Sequence, residues 1–110
     1  MPKVQQPRKV ALDGMEFDSR REANRYAELK LLQRAGEISD LRTQVRYTLI
    51  PGQRKPSGGT EHAVTYTADF VYRDKSGREI VEDAKGVRTQ QYIIRRKLML
   101  YVHGLEVIEV

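Results

Sequence analysis

The sequence predicts an α/β protein: a small mixed sheet flanked by helices, with the core order helix, three strands, helix, strand. Three observations carry the prediction. Residues 18–35 open on a helix start and are closed by a helix stop at Gly36. Two stretches in the middle of the chain follow a strand pattern. A strand, a helix and a strand close the sequence, and that crossover requires parallel pairing, whereas the earlier connections suit antiparallel hairpins or a meander. With 110 residues, residues 1–110 form one domain with a modest core.

The elements follow in order. Residues 1–8 are polar, contain two prolines and read as a flexible terminus. Residues 9–17 read as two short extended pieces around Asp13-Gly14, a hairpin-turn dipeptide. Residues 18–35 read as a helix. Ser19 is a good N-cap, Glu22 three residues later completes a capping box, and Gly36 suits the C′ position. Its apolar positions, Ala23 to Leu32, cover a wide arc. Residues 42–50 alternate Val45, Tyr47 and Leu49 with Gln44, Arg46 and Thr48, a strand that Pro51-Gly52 ends. Residues 53–62 read as a long mobile loop. Residues 64–72 and 79–85 read as strands joined by a turn at 74–77. Residues 89–103 read as a second helix with Ile94, Leu98, Tyr101 and Val102 on one stripe, and residues 105–110 as the last strand.

Composition narrows the function. Hydrophobic residues make up 39% and charged residues 32%, which fits a soluble globular protein. Cysteine is absent, which excludes a disulfide framework and thiolate zinc. No run approaches the ~20 apolar residues of a membrane span, and residues 1–6 lack the apolar stretch of a signal peptide. The expected setting is cytoplasmic. Net charge is +5, unevenly spread. Residues 41–60 and 86–104 each carry four bases and no acid, while residues 61–85 hold six acids against four bases. A polyanion suits the basic segments and a cation site suits the acidic one.

The acidic segment holds the residues that can do chemistry. Asp69 interrupts an apolar run, where a carboxylate needs compensation. Asp83 and Lys85 lie two apart on a strand, so alternation turns them to one face, and a hairpin would bring Asp69 beside them. Two carboxylates can hold Mg²⁺, which keeps its other positions for water and phosphate oxygens. The metal lowers the pKa of a bound water, and a lysine can orient that water. The backbone carbonyl of Ala84 is a further oxygen ligand, and Glu22 a possible fourth member. Read singly, each feature has a plainer account: a surface Asp-x-Lys ion pair, a structural Asp69, a capping-box Glu22. His62 and His103 lack metal-ligand spacing, and Gly58-Gly59 matches no phosphate loop.

Together, Phe17-Asp18-Ser19 with Glu22 and Tyr26, Gly36-Glu37-Ile38 leading to Gln44, Tyr66-Thr67-Ala68-Asp69-Phe70, Val81-Glu82-Asp83-Ala84-Lys85-Gly86, and Thr89 and Tyr92 carry a resemblance. Over residues 12–110 the chain resembles the PD-(D/E)XK nuclease superfamily, and within it the small phage-encoded endonucleases of the endonuclease I, Holliday-junction resolvase type. The resemblance implies the restriction-endonuclease-like αβββαβ core. It implies Asp69 and Asp83 as metal ligands, Lys85 beside the attacking water, and Glu22 as the helix glutamate of the metal shell. Two departures stand out: Ala68 replaces the motif proline, and the second acid is Asp83 rather than glutamate. Alternation turns the neighbouring Glu82 to the other face.

The expected activity is therefore Mg²⁺-dependent hydrolysis of DNA phosphodiesters, with Mn²⁺ as the substitute metal and no small-molecule cofactor. Branched DNA is the expected substrate and a homodimer the expected assembly, since two matched cuts need two sites. Arg54, Lys55, Arg88, Arg95 and Arg96 are the expected phosphate contacts, with Gln44 at the rim. The rivals are a nickase, a nuclease subunit of a larger DNA-processing complex, a non-catalytic nucleic-acid-binding module, and an adaptor that sets its basic helix on an acidic protein.

Overall fold

The structure is a computed structural model that describes residues 9–110; the expected flexible terminus at residues 1–8 lies outside the described residues. The chain opens with a ribbon of β1 (Val10–Leu12) and β2 (Met15–Phe17). Asp13 and Gly14 both have positive φ, 53° and 74°, the conformation a two-residue hairpin turn of right-handed twist requires. Helix α1 (Arg20–Arg34) begins at Ser19, whose hydroxyl accepts the Glu22 amide at 3.1 Å. It ends in a Schellman arrangement: the Glu37 amide reaches the Leu32 carbonyl at 2.9 Å and the Gly36 amide reaches Gln33 at 3.0 Å. Gly36 takes φ 76°.

The central sheet has the order β3 (Ser39–Ile50), β6 (Val64–Arg73), β7 (Glu79–Asp83), β8 (Val107–Glu109). The first two pairings are antiparallel and the last is parallel. The expected α/β architecture and mixed sheet are present. Between β7 and β8 runs α2 (Gln90–Leu98), which continues as a π-helical turn, Met99–His103, and ends at left-handed Gly104.

Helices cover both faces. On one face Phe17, Ala23, Tyr26 and Leu29 pack against Phe70 and Tyr72. On the other, Tyr92 and Met99 pack against Leu49, Tyr66, Ala68, Val71, Val81 and Val107. Burying side chains such as Leu29 and Phe70 completely stabilises the fold by about 1.5–3 kcal/mol each.

Four sequence expectations change. Residues 53–62 are not one structureless loop but a second ribbon, β4 (Gln53–Arg54) with β5 (Thr60–Glu61), closed through Gly58 and Gly59. The wide apolar arc of α1 narrows to Ala23, Tyr26 and Leu29, because the single layer beneath it covers only one stripe. Of the stripe expected to bury α2, Leu98 packs against the core, but Ile94, Tyr101 and Val102 are exposed, and Tyr92 and Met99 are the buried anchors. The π-helical turn shifts the helical phase beyond Leu98, so a stripe drawn at α-helical spacing fails there. Strand β7 ends at Asp83 rather than Lys85.

Candidate active site

The ladder between β6 and β7 stops at Phe70↔Glu82. The next opposed pair in that register is Asp69 and Asp83, so the two aspartates stand where the strands part. Glu82 points toward α1 and Asp83 toward α2, as alternation requires. Asp83 is 4% exposed and accepts the Tyr66 hydroxyl at 2.5 Å. Burial, followed by that hydrogen bond, pushes the Tyr66 phenol well above its usual range. Tyr66 therefore stays a neutral donor to Asp83.

Asp69 sits at a second irregularity. Its register partner on β3 is Gln44, which has φ 52°. On the α1-facing core side of this pair, Phe70 opposes Thr43; on the other, Ala68 opposes Val45 and belongs to the α2-facing core. Both strands thus switch faces at Gln44 and Asp69 without losing register. The Gln44 amide uses this position to donate to Asp69 Oδ1 at 3.3 Å and to Glu22 Oε1 at 3.0 Å. The other Asp69 oxygen accepts the Ala84 amide at 2.8 Å. Ala84 therefore meets Asp69 through its N–H.

Lys85 lies past the end of β7, so strand alternation does not place it. Two contacts do: Nζ is 3.3 Å from Asp83 Oδ1 and 4.1 Å from the centre of the Tyr92 ring. The Lys85 carbonyl accepts Arg21 Nη1 from α1 at 3.0 Å. Glu22 is buried at 6% exposure. Burial, then the charge of Asp69, pushes its carboxyl up to about 7. Asp69 is also raised, by burial and then by the charge of Asp83. Like charges thus crowd one point, with Lys85 the one cation in ion-pair contact with them among the described residues.

The structure brings together Glu22, Gln44, Asp69, Asp83, Ala84 and Lys85. It does not gather the expected phosphate contacts around them. Arg88 and Arg96 both bind Glu109, at 2.6 and 3.2 Å, and Arg95 Nε donates to the Thr65 carbonyl at 3.0 Å. Arg88 and then Tyr92 hold the Glu109 carboxyl down at about 2. Arg54 and Lys55 lie exposed on the second ribbon, where Lys55 is 3.9 Å from Glu61. Tyr66, as partner of Asp83, and Tyr92, as the surface under Lys85, were not assigned roles from the sequence. The signal for Tyr66 was its place in the same strand as Asp69, three residues earlier.

The family match spans residues 3–106, a stretch that contains every residue of this cluster. The chain belongs to the DUF1064 family. The family is described as a protein of unknown function. No curated protein and no solved structure matches the chain.

The cluster can be tested as a cation site by its donors. Among the described residues, no three His, Cys, Asp or Glu side chains converge closely enough to enclose a metal. Magnesium needs no such cage, because it binds through one or two carboxylates and keeps several waters. Asp69 and Asp83 could supply such hard oxygen donors, and their crowding leaves negative charge to neutralise. The donor set fits a hydrated Mg²⁺ or Mn²⁺.

Proposed function

We propose that this DUF1064 protein is a divalent-metal-dependent endodeoxyribonuclease of the PD-(D/E)XK type. One observation carries the reading. Two aspartates and a lysine from β7, its end and β6 meet where the sheet splays, with a helix glutamate and a strand glutamine completing the cluster. Asp69 and Asp83 would hold Mg²⁺, with Glu22 at the edge of its shell and the Ala84 carbonyl as the further ligand. When bound, the metal supplies Lewis acidity toward a phosphate oxygen and makes a bound water more acidic.

The chain's own groups do the rest. Lys85 donates to the attacking water and offsets charge that develops on the phosphate. Tyr92 and Asp83 hold its ammonium at one point, so no reorganisation is needed as charge develops. Tyr66 fixes the carboxylate of Asp83. Gln44 fixes Glu22 and Asp69 relative to each other.

A constellation of this kind cuts one strand. Paired cutting of a branched substrate requires two copies, and the exposed Ile94, Tyr101 and Val102 of the α2 face leave apolar surface for a homodimer. No helix among the described residues is long and apolar enough to cross a membrane. The test is cleavage of a labelled four-way junction, a matched duplex and a single strand, with Mg²⁺ and with EDTA. Metal-dependent cutting supports the reading, and preference for the junction supports its branched-DNA form. Binding that is equal with and without metal, with no cutting of any substrate, replaces it by the binding-module reading.

A further inference from the structure

The sheet face opposite α2 is covered over half its length. Around Phe70 and Tyr72 it lies under α1 and the β1–β2 ribbon. Beyond the Gln44–Asp69 pair it is open. Val45, Tyr47 and Leu49 turn into the core beneath α2, so Arg46 and Thr48 point the other way. Tyr66 and Ala68 turn inward likewise, and Thr67 lies outward opposite Arg46, with Thr65 opposite Thr48. Arg46, Thr48 and Thr67 are exposed.

This face runs from the carboxylate cluster at one end toward the β4–β5 ribbon at the other. Arg46 stands one pleat repeat, about 7 Å, beyond Gln44. Arg54 lies on the ribbon. Among the described residues neither Arg46 nor Arg54 has a carboxylate within ion-pair distance. The arginines in and just before α2 differ: Arg88 and Arg96 are held by Glu109 and Arg95 by a main-chain carbonyl. A pinned arginine must give up its carboxylate before it can meet a phosphate. An unpaired one gains the full counterion-release term.

We infer that a nucleic-acid backbone lies along the open β3–β6 face, from the Glu22–Asp69 end to the ribbon, with Arg46 as its central phosphate contact. Thr48 and Thr67 supply hydroxyl donors and Arg54 the far contact. The face reads backbone rather than sequence, since it offers no long side chains to enter a groove besides the arginine. The direction of this track rests on the nuclease reading; the binding surface itself does not.

The test uses the full chain in a Lys85→Ala background, with fluorescence anisotropy on a labelled four-way junction and duplex across a salt series. Arg46→Gln should weaken binding severalfold and lower the salt slope by about one. Arg46→Glu should weaken it further, as should Thr67→Glu from the facing strand. Arg88→Gln with Arg96→Gln should cost less than Arg46→Gln alone. Thermal melts by circular dichroism check that the exposed substitutions leave the fold intact. Unchanged affinity and slope in both Arg46→Glu and Thr67→Glu overturn the inference. So does loss of binding through the Arg88–Arg96 pair alone, failure of the parent to bind DNA, or equal competition by polyglutamate. Cleavage by the wild type with Arg46-independent binding removes this surface and leaves the nuclease standing. Arg46-dependent binding with no cleavage does the reverse.

Discussion

The Lys85 ammonium lies 4.1 Å from the centre of the Tyr92 ring, and the Tyr92 hydroxyl donates to Glu109 at 2.8 Å. Lys85 is beyond the last residue of β7, so the ring replaces a strand ladder as the support of the ammonium. The ring itself is held through Glu109, which Arg88 and Arg96 fix from outside. Tyr92→Leu removes that support and should lower cleavage by about a hundredfold, the scale of a misplacement near 1 Å. Tyr92→Phe keeps the ring but loses its tether to Glu109, and should cost much less than Tyr92→Leu. Steady-state cleavage of a junction substrate separates the two, and equal rates for Leu and Phe would remove Tyr92 from the account.

Lys85→Ala and Asp83→Asn should each lower kcat by about 10²–10³ if they act on charge in the transition state. Their effects on DNA binding differ. Lys85→Ala removes a cation and should weaken binding slightly. Asp83→Asn removes an anion and should preserve or raise affinity in EDTA. A gel-shift series with both variants checks this, and retained cleavage in either would sink the assignment of that residue.

A second buried contact ties the helix of Glu22 to the strand of Asp83. Arg25 grips Glu82 at 2.8 Å through Nε and at 2.7 Å through Nη2, and the Tyr72 hydroxyl donates to the same carboxylate. Glu82 is 1% exposed. Arg25→Met strands that carboxylate and should cost about 3 kcal/mol in chemical denaturation. Replacing the set by Arg25→Met, Tyr72→Phe and Glu82→Leu should recover most of the loss, because well-packed apolar groups often match a buried ion pair. A triple variant no more stable than Arg25→Met would show that the ion pair contributes net stability.

Much of this was legible in the sequence, because it rests on local rules. The Asp13-Gly14 turn, the Ser19 cap, the Gly36 stop and the mixed sheet follow from turn chemistry, capping and the crossover. The meeting of Asp69, Asp83 and Lys85 followed from the hairpin, although Lys85 arrives by contact with Tyr92 rather than by alternation. What was not legible depends on tertiary choice. Period-2 patterning cannot show that two strands switch faces at Gln44 and Asp69, since the left-handed Gln44 has no turn residue to mark it. Net charge cannot show which arginines are already bound: Glu109 is more than ten residues from both Arg88 and Arg96. The π-helical turn likewise left Tyr101 and Val102 misplaced, because its spacing is read only once the backbone is known.

The crowded carboxyls set a pH dependence that can be worked out in sign. Burial and Asp69 raise the Glu22 carboxyl from its ordinary 4.5 to about 7. Between those values the folded protein binds more protons than the unfolded chain. Stability contributed by this group is therefore fully present below about 4.5 and is lost as pH rises through about 7. Glu22→Gln, which cannot ionise, should flatten the stability profile across that window. A divalent cation acts in the opposite sense, because it binds the ionised carboxylates. Mg²⁺ or Mn²⁺ should raise the melting temperature more above that window than below it, and Asp69→Asn should abolish the increment. Melting curves on wild type and both variants, across pH and with or without metal, check the whole scheme. A metal increment that is the same at both ends of the window, or that survives Asp69→Asn, would place the cation away from this cluster.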